Sequence, residues 1–202
     1  MQFPPEEFDQ WAATYDQEVE LEEGFPFSGY HSMLQTIVTR AACQKNQKIL
    51  DLGCGTGNLS DLFHNSGCQV WGTDFSTAMI EKAAAKYPHI PFKLQDVRYP
   101  VPSAFPQEYD VIVSAYVFHH FPIDEKIEII KRLMCENLHP GGRLVIGDLI
   151  FDNSDALNQT KSIYHDQWDE EYYWLIDHDL PLLKSAGLNA KIDPKARIAI
   201  RI

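Results

Sequence analysis

At 202 residues and 45% hydrophobic content, the chain is long enough to bury one sizeable α/β core and short for two. Its 17 basic residues against 29 acidic ones leave a formal charge of -12, which opposes the phosphate neutralisation on which most nucleic-acid binding depends, so DNA and RNA partners are disfavoured. No run of 18 apolar residues and no basic leader before an apolar stretch is present, so neither a membrane span nor secretion is expected and a cytoplasmic location is.

Behind Pro4 and Pro5, the helical spacing of Phe8, Trp11, Ala12 and Tyr15 predicts a short amphipathic helix. Glu18, Glu20, Glu22 and Glu23, with Gly24 and Pro26, read as an acidic loop. Tyr30, Met33, Leu34, Ile37, Val38 and Ala41 predict a second helix from about Ser28 to Cys43.

K-I-L-D-L-G-C-G-T-G-N, at Lys48 to Asn58, reads as a parallel strand opening into a tight turn and a helix. Glycines at such a turn supply positive φ and remove side chains, so a ligand can lie on the main chain above the strand's carboxyl end. The spacing is G-x-G-x-G, with Asn58 where the dinucleotide pattern G-x-G-x-x-G has its third glycine, which counts against NAD. Asp51, inside the strand, would repel a pyrophosphate and attract an ammonium, so the ligand implied is an amino acid head group.

Leu59, Leu62 and Phe63 mark the following helix, ended by Gly67. Q-V-W-G-T-D-F-S, at Gln69 to Ser76, predicts a second strand whose tip, Asp74, is placed to accept hydrogen bonds from a ribose diol. Ser76 caps a helix through Met79 and Ala83 that Pro88 stops. F-K-L-Q-D-V gives a third strand ending in Asp96, and Y-D-V-I-V-S-A-Y-V-F-H-H at Tyr109 to His120 a fourth. Asp124 caps a helix with Ile127, Ile130, Met134 and Leu138 on its apolar face. Pro140-Gly141-Gly142 supplies a turn before a fifth strand that ends near Asp148. Asp152 to Trp168 are polar; Asp179 then caps a helix to Ala186, ended by Gly187. Leu188 to Ile192 and Arg197 to Ile202 form a terminal hairpin turned at Asp193-Pro194-Lys195.

D-L-G-C-G-T-G-N resembles the first motif of the class I S-adenosylmethionine (SAM) dependent methyltransferases, and the later segments fall into step with it from Lys48 to Asp148, half of the chain. W-A-x-x-Y-D, at Trp11 to Asp16, looks like the element found in small bacterial methyltransferases. The resemblance implies an α/β, Rossmann-like, seven-stranded, mostly parallel sheet with helices on both faces, the last strand antiparallel, and an N-terminal helical cap. It implies a single domain over 1–202, with the cap at 1–45, a SAM-binding core at 46–150, and a lid segment, helix and hairpin at 151–202. The cofactor residues it implies are Tyr15, Asp51, Gly53, Cys54, Gly55, Gly57, Asn58, Asp74, Phe75, Ser76, Met79, Asp96, Val97, Ser114, Ala115 and Tyr116; the counterpart of Asp96 faces the adenine amino group.

Methyl transfer from a sulfonium asks mainly for alignment of the nucleophile with the methyl carbon, and for a base where the nucleophile is a hydroxyl or an ammonium. His119 and His120, after the fourth strand, and Asp148, after the fifth, are the catalytic candidates. The alternative is that an imidazole packs against the adenosine or caps a backbone group. No metal site is expected, since adjacent side chains diverge and a third ligand is not identifiable. Tyr15, Tyr30, Tyr164, Trp168, Tyr172 and Tyr173 are an aromatic set able to surround a sulfonium or stack on a planar substrate. Cys43, Cys54, Cys68 and Cys135 show neither disulfide nor zinc spacing and read as reduced thiols, with Cys54 packing against the cofactor. Lys126, Lys131, Arg132 and Arg143 read as solvated faces. The expected activity is methyl transfer to a small-molecule acceptor. A non-catalytic sensor of SAM or S-adenosylhomocysteine, an aminopropyl transferase and an NAD-dependent reductase are the alternatives.

Overall fold

Apolar runs that alternate between two covered faces build the central sheet. β1 (Lys48–Leu52) sends Ile49 to one side and Leu50 and Leu52 to the other; β4 (Tyr109–Ala115) divides Val111 and Val113 from Ile112, and β5 (Leu138–Gly147) divides Val145 from Leu144 and Ile146. The first side is covered by α3 (Tyr30–Ala41) and α4 (Asn58–Asn65), through Met33, Ile37, Leu59 and Phe63. The second is covered by α6 (Ile123–Glu136) and α8 (Ile176–Ser185), through Ile130, Leu133 and Leu183. Each such side chain, removed from water, contributes roughly 1.5–3 kcal/mol.

The computed structural model describes residues 4–192 and 200–201. Among these, the sheet has seven strands in the order β3 (Phe92–Leu94), β2 (Gln69–Asp74), β1, β4, β5, β9 (Ile200–Arg201) and β8 (Lys191–Ile192). β9 runs antiparallel to both β5 and β8, and the other pairings are parallel. The expected architecture is therefore present. The turn expected at Asp193-Pro194-Lys195 lies outside the described residues. No helix among the described residues is long and apolar enough to cross a membrane.

Several local expectations are corrected. The N-terminal region holds two helices, α1 (Pro5–Trp11) and α2 (Tyr15–Leu21), so Glu18 and Glu20 are helical rather than in a loop. β3 stops at Leu94, and Asp96 lies two residues past it. The α6 cap is Pro122, with Asp124 in the first turn, where its charge suits the helix dipole. α8 begins at Ile176, and Asp179 reaches back to accept the backbone N–H of Leu175 at 3.0 Å. Pro140 to Gly142 lie within β5, where the pairing jumps from Tyr109–Leu138 to Val111–Arg143, an irregularity that absorbs the extra residues. The polar stretch after Ile150 contains α7 (Ser154–Ile163), capped by Asn153 accepting from Ala156 N–H at 3.0 Å. A second small sheet pairs β6 (Ile150–Phe151) with β7 (Trp174–Leu175) in parallel. Lys126, expected in solvent, is buried: Nζ donates to Tyr172 O at 2.5 Å and sits 3.9 Å from the Trp174 ring centre.

The thiols are also corrected. Cys43 and Cys68 are joined as a disulfide, while Cys54 and Cys135 are free. Backbone bonds from Asn46 to Gly67 and from Gln69 to Gln47 draw together the ends of α3 and the start of β2, 25 residues apart by cysteine separation, a proximity that sequence spacing does not report.

Candidate active site

The strand order reverses between β1 and β4, and the carboxyl ends of such strands are where open α/β sheets take ligands. A cavity of about 330 Å³ opens there. Its floor is made by the segments that leave β1 (Gly53, Gly55), β2 (Asp74, Phe75), β3 (Gln95, Asp96, Val97), β4 (Ala115 to Val117, His119 to Phe121) and β5 (Leu149). One wall comes from the N-terminal helices, with Phe8, Trp11 and Tyr15, and from Phe27 in the turn before α3, and the other from Gln167, Asp169, Glu171 and Tyr173.

The glycine turn divides its work. Gly55, at φ 53°, leaves its main chain open, with the Tyr15 ring 3.9 Å from where a Cβ would stand. At Gly53, φ 66°, the freed space is taken by Val117, whose Cγ2 lies 2.2 Å from the Cβ position. Asp74 ends β2 with both oxygens anchored, accepting Gly55 N–H at 2.8 Å and Ser76 N–H at 2.9 Å, and burial pushes its pKa to about 6. Beneath the turn, Asp51 is buried. Ser60 Oγ donates to its Oδ2 at 2.6 Å, its Oδ1 has no hydrogen-bond partner, and burial, opposed by Ser60 and reinforced by the Asp74 charge, raises its pKa to about 7.

Of the expected cofactor residues, Tyr15, Gly53, Gly55, Asp74, Phe75, Met79, Asp96, Val97, Ala115 and Tyr116 line the cavity. Asp51, Cys54, Gly57, Asn58, Ser76 and Ser114 do not, and each has a visible supporting contact instead. Cys54 packs beside Gly72; Gly57 begins α4 at φ 87°; Ser114 Oγ donates to Leu52 O at 2.8 Å. Asn58 accepts Lys86 Nζ at 2.8 Å. Ser76 accepts Met79 N–H at 3.1 Å as the cap of α5 (Thr77–Lys86) and donates to Asp9 at 2.6 Å. Asp96 is forked onto Arg98, with Nη2 at 2.5 Å.

The W-A-x-x-Y-D segment acts as a clasp. Asp16 accepts Thr56 Oγ1 of the glycine turn at 2.6 Å and Lys86 Nζ at 3.0 Å, while Asp9 accepts Ser76 Oγ and Ala78 N–H at the start of α5. These bonds hold Tyr15 over Gly55 and Phe8 against Phe75, centroids 4.7 Å apart. Tyr116 takes φ 58°, a conformation rare without glycine, and stacks on Tyr30 at 5.8 Å. Of the aromatic set, Tyr15 and Tyr173 reach the cavity; Tyr30 and Trp168 support it by stacking on Tyr116 and Phe25, Tyr164 lies 5.9 Å from Phe25, and Tyr172 is exposed.

Opposite the glycine turn, a buried polar chain runs through Asp148, His119, Glu171 and His120. Asp148 is fully buried behind the cavity wall and accepts four donors: His119 N–H, His119 Nδ1, Leu149 N–H and Trp174 Nε1. Burial opposes the charge of His119, but the Asp148 charge and hydrogen bond, then Glu171, outweigh it and hold the imidazole above its usual pKa. His120 is lowered by burial and by the neighbouring His119. Glu171 Oε2 lies 3.3 Å from His119 Nε2, and its Oε1 2.8 Å from His120 Nδ1. The two rings, expected to diverge, sit with centroids 4.1 Å apart because residues 118–120 form a 3₁₀ turn. Glu171, 51 positions beyond His120 in a segment that reads as polar loop, carries no signal that sequence reasoning could have used.

The methyltransferase domain model matches residues 50–144. An uncharacterized methyltransferase of Geobacillus kaustophilus is 34% identical over 196 residues, 91% of this chain and 87% of the relative. The chain belongs to the methyltransferase family. Two solved structures share the fold of this methyltransferase. The DhpI-SAM-HEP complex aligns with TM-score 0.73 at 17% identity, over 97% of this chain and 92% of that one. Magnesium protoporphyrin IX methyltransferase (ChlM) from Synechocystis PCC 6803, with bound SAH, aligns with TM-score 0.63 at 18% identity, over 86% and 81%.

Proposed function

We propose that this methyltransferase transfers the methyl group of SAM to a small-molecule acceptor, within one domain in which the N-terminal helices roof the cavity. The observation that carries the reading is the set of polar atoms left for one nucleoside and one amino acid head around a single cavity. Asp74 offers carboxylate oxygens that still have lone pairs for a ribose diol, Gly55 offers bare main chain, and Asp51, buried behind the turn and outside the cavity lining, keeps Oδ1 without a hydrogen-bond partner among the described residues. Asp51, buried beneath the glycine turn, would repel a pyrophosphate laid on that turn, which argues against NAD. Met79, Val97 and Phe75 supply apolar contact for the base, with Asp96 at its edge. Aromatic walls on both sides of the acceptor end, with Trp11, Tyr15 and Tyr173, suit a compact acceptor better than a polymer.

When bound, SAM supplies an electrophilic methyl on a sulfonium. What the chain does is align and shelter. Tyr15 and Trp11 close the cavity from the N-terminal side and Tyr173 from the other, excluding water from a charged reactant. Alignment alone lowers a two-reactant barrier by roughly 7–11 kcal/mol. His119 and His120 face the acceptor, and Asp148, which does not reach the cavity, positions His119 through Nδ1. We place the reaction in the cytoplasm, where disulfides are rare; thiol titration of protein released from cells under argon tests whether the Cys43–Cys68 bond is present there.

Calorimetric titration with SAM and S-adenosylhomocysteine tests the cofactor, on wild type and on Asp74→Ala. Binding by wild type that falls at least 10-fold in a folded mutant supports the ribose assignment. Equal affinity in the two removes it. Conversion of SAM to S-adenosylhomocysteine across a panel of hydroxyl, thiol and amine acceptors then tests turnover.

A further inference from the structure

We propose that His119, His120 and Glu171 bind one divalent transition-metal ion on the acceptor side of the cavity. Their donor atoms lie within 4.8 Å of one another, and all three residues line the cavity, so an ion has both ligands and a way in. At metal–nitrogen and metal–oxygen bonds of about 2.0–2.2 Å, tetrahedral ligand atoms stand roughly 3.3–3.5 Å apart. The separation of His119 Nε2 from Glu171 Oε2 is 3.3 Å, and that of His120 Nδ1 from Glu171 Oε1 is 2.8 Å. These two distances run to different oxygens of Glu171; with one oxygen taken, the three donor atoms lie within 4.8 Å, and side-chain rotation closes that to the bonding separation.

The hydrogen bonds behind the cluster set its chemistry. Asp148 engages His119 Nδ1, so in the neutral ring that nitrogen carries the proton and Nε2 presents a lone pair to Glu171. Two acceptors then face each other across 3.3 Å. A metal ion between them would satisfy both acceptors. A carboxylate that accepts the second ring N–H is the usual support of a metal-bound histidine, fixing its tautomer and raising its basicity. Asp148 is such a support, itself held by Leu149 N–H and Trp174 Nε1. Two imidazoles and one carboxylate favour zinc, iron or cobalt over magnesium or calcium, which prefer all-oxygen sites.

The cluster leaves the ion's remaining positions toward the cavity, where an acceptor oxygen would bind. The inference rests on the reading of this cavity for the acceptor's place alone; the ion's ligands stand without it.

The full-length protein, stripped with chelator, is titrated with Co²⁺, followed by visible ligand-field absorption, and with Zn²⁺, followed by calorimetry. One equivalent is expected to bind. Glu171→Gln and His120→Ala are expected to weaken it at least 10-fold, and SAM binding on the same samples verifies that the variants are folded. Absence of saturable binding to wild type means that a proton alone occupies the gap and overturns the proposal. Binding unchanged in both variants overturns it too. Metal binding without SAM binding would leave this site standing and remove the cofactor reading; SAM binding without metal binding would do the reverse.

Discussion

Ser60 Oγ donates to Asp51 Oδ2 at 2.6 Å and leaves Oδ1, on the same buried carboxyl, without a hydrogen-bond partner among the described residues. That half-satisfied acid sits below the glycine turn with its pKa raised to about 7, and Asp74 above it stands at about 6. A carboxyl whose folded pKa exceeds its unfolded value of about 3.8 contributes stability that is full below pH 4 and is lost as pH rises through the folded pKa. The free protein is therefore expected to lose on the order of a few kcal/mol between pH 4 and pH 7 from this pair. Asp51→Asn should flatten that decline, and SAM, by placing an ammonium near the charged form, should oppose it. Melting temperature against pH, with and without SAM, checks both; parallel curves for mutant and wild type would sink the assignment.

Asp148 accepts four donors with no exposure to water. Asp148→Ala strands all four and uncouples His119, at a cost expected near 3–5 kcal/mol. Asp148→Asn, which keeps two acceptor lone pairs, should cost less. Urea unfolding reads both, and a loss under about 1 kcal/mol for the alanine variant contradicts the arrangement.

Gly53→Ala must place a Cβ 2.2 Å from Val117 Cγ2 at φ 66°. The change is expected to destabilise by about 2–4 kcal/mol, part steric and part backbone. Val117→Ala in the same chain relieves the steric part while the backbone part persists, so a double-mutant cycle should show a coupling of roughly 1–3 kcal/mol. Additive effects would mean that Val117 does not fill the space above Gly53.

Asp16→Ala removes the clasp to Thr56 and Lys86. These bonds are partly exposed, so global stability should fall by under about 1 kcal/mol. SAM affinity is expected to drop about 10-fold, because Tyr15 loses its station over Gly55, an effect sized as a small local reordering cost. Hydrogen exchange should quicken at residues 12–20 while β1 and β4 keep their protection. Unchanged exchange and unchanged affinity together would remove the clasp.

The sheet, its strand order and the strand-tip residues Gly53, Gly55 and Asp74 were legible because buried parallel strands are continuous apolar runs and tight turns demand glycine. Asp96 and His119 were legible by their place after such strands. The cavity's outer walls were not. Phe8 reads as an ordinary amphipathic position, α7 has too few apolar positions to show a period, and Glu171 is one acid among many. Asp51, Ser114 and Ser76 were correctly placed near the turn, yet they turn inward to bond Ser60, Leu52 and Asp9. Strand spacing gives a residue's position but not the direction in which its side chain finds a partner. The thiol pair was missed because its proximity comes from the pairing of two loops, a tertiary matter.

Two carboxylates, Asp9 and Asp16, bolt the N-terminal helices to α5 and the glycine turn, so that side of the cavity is a fixed jamb. The opposite panel, residues 165–173, meets the body through Trp168 stacked on Phe25 and Tyr173 stacked on His119, through Glu171, and through the Tyr172 main chain, which bonds His119 and Lys126. If Glu171 grips an ion that two histidines of the floor also hold, the metal becomes one more rivet between that panel and the strand ends beneath it.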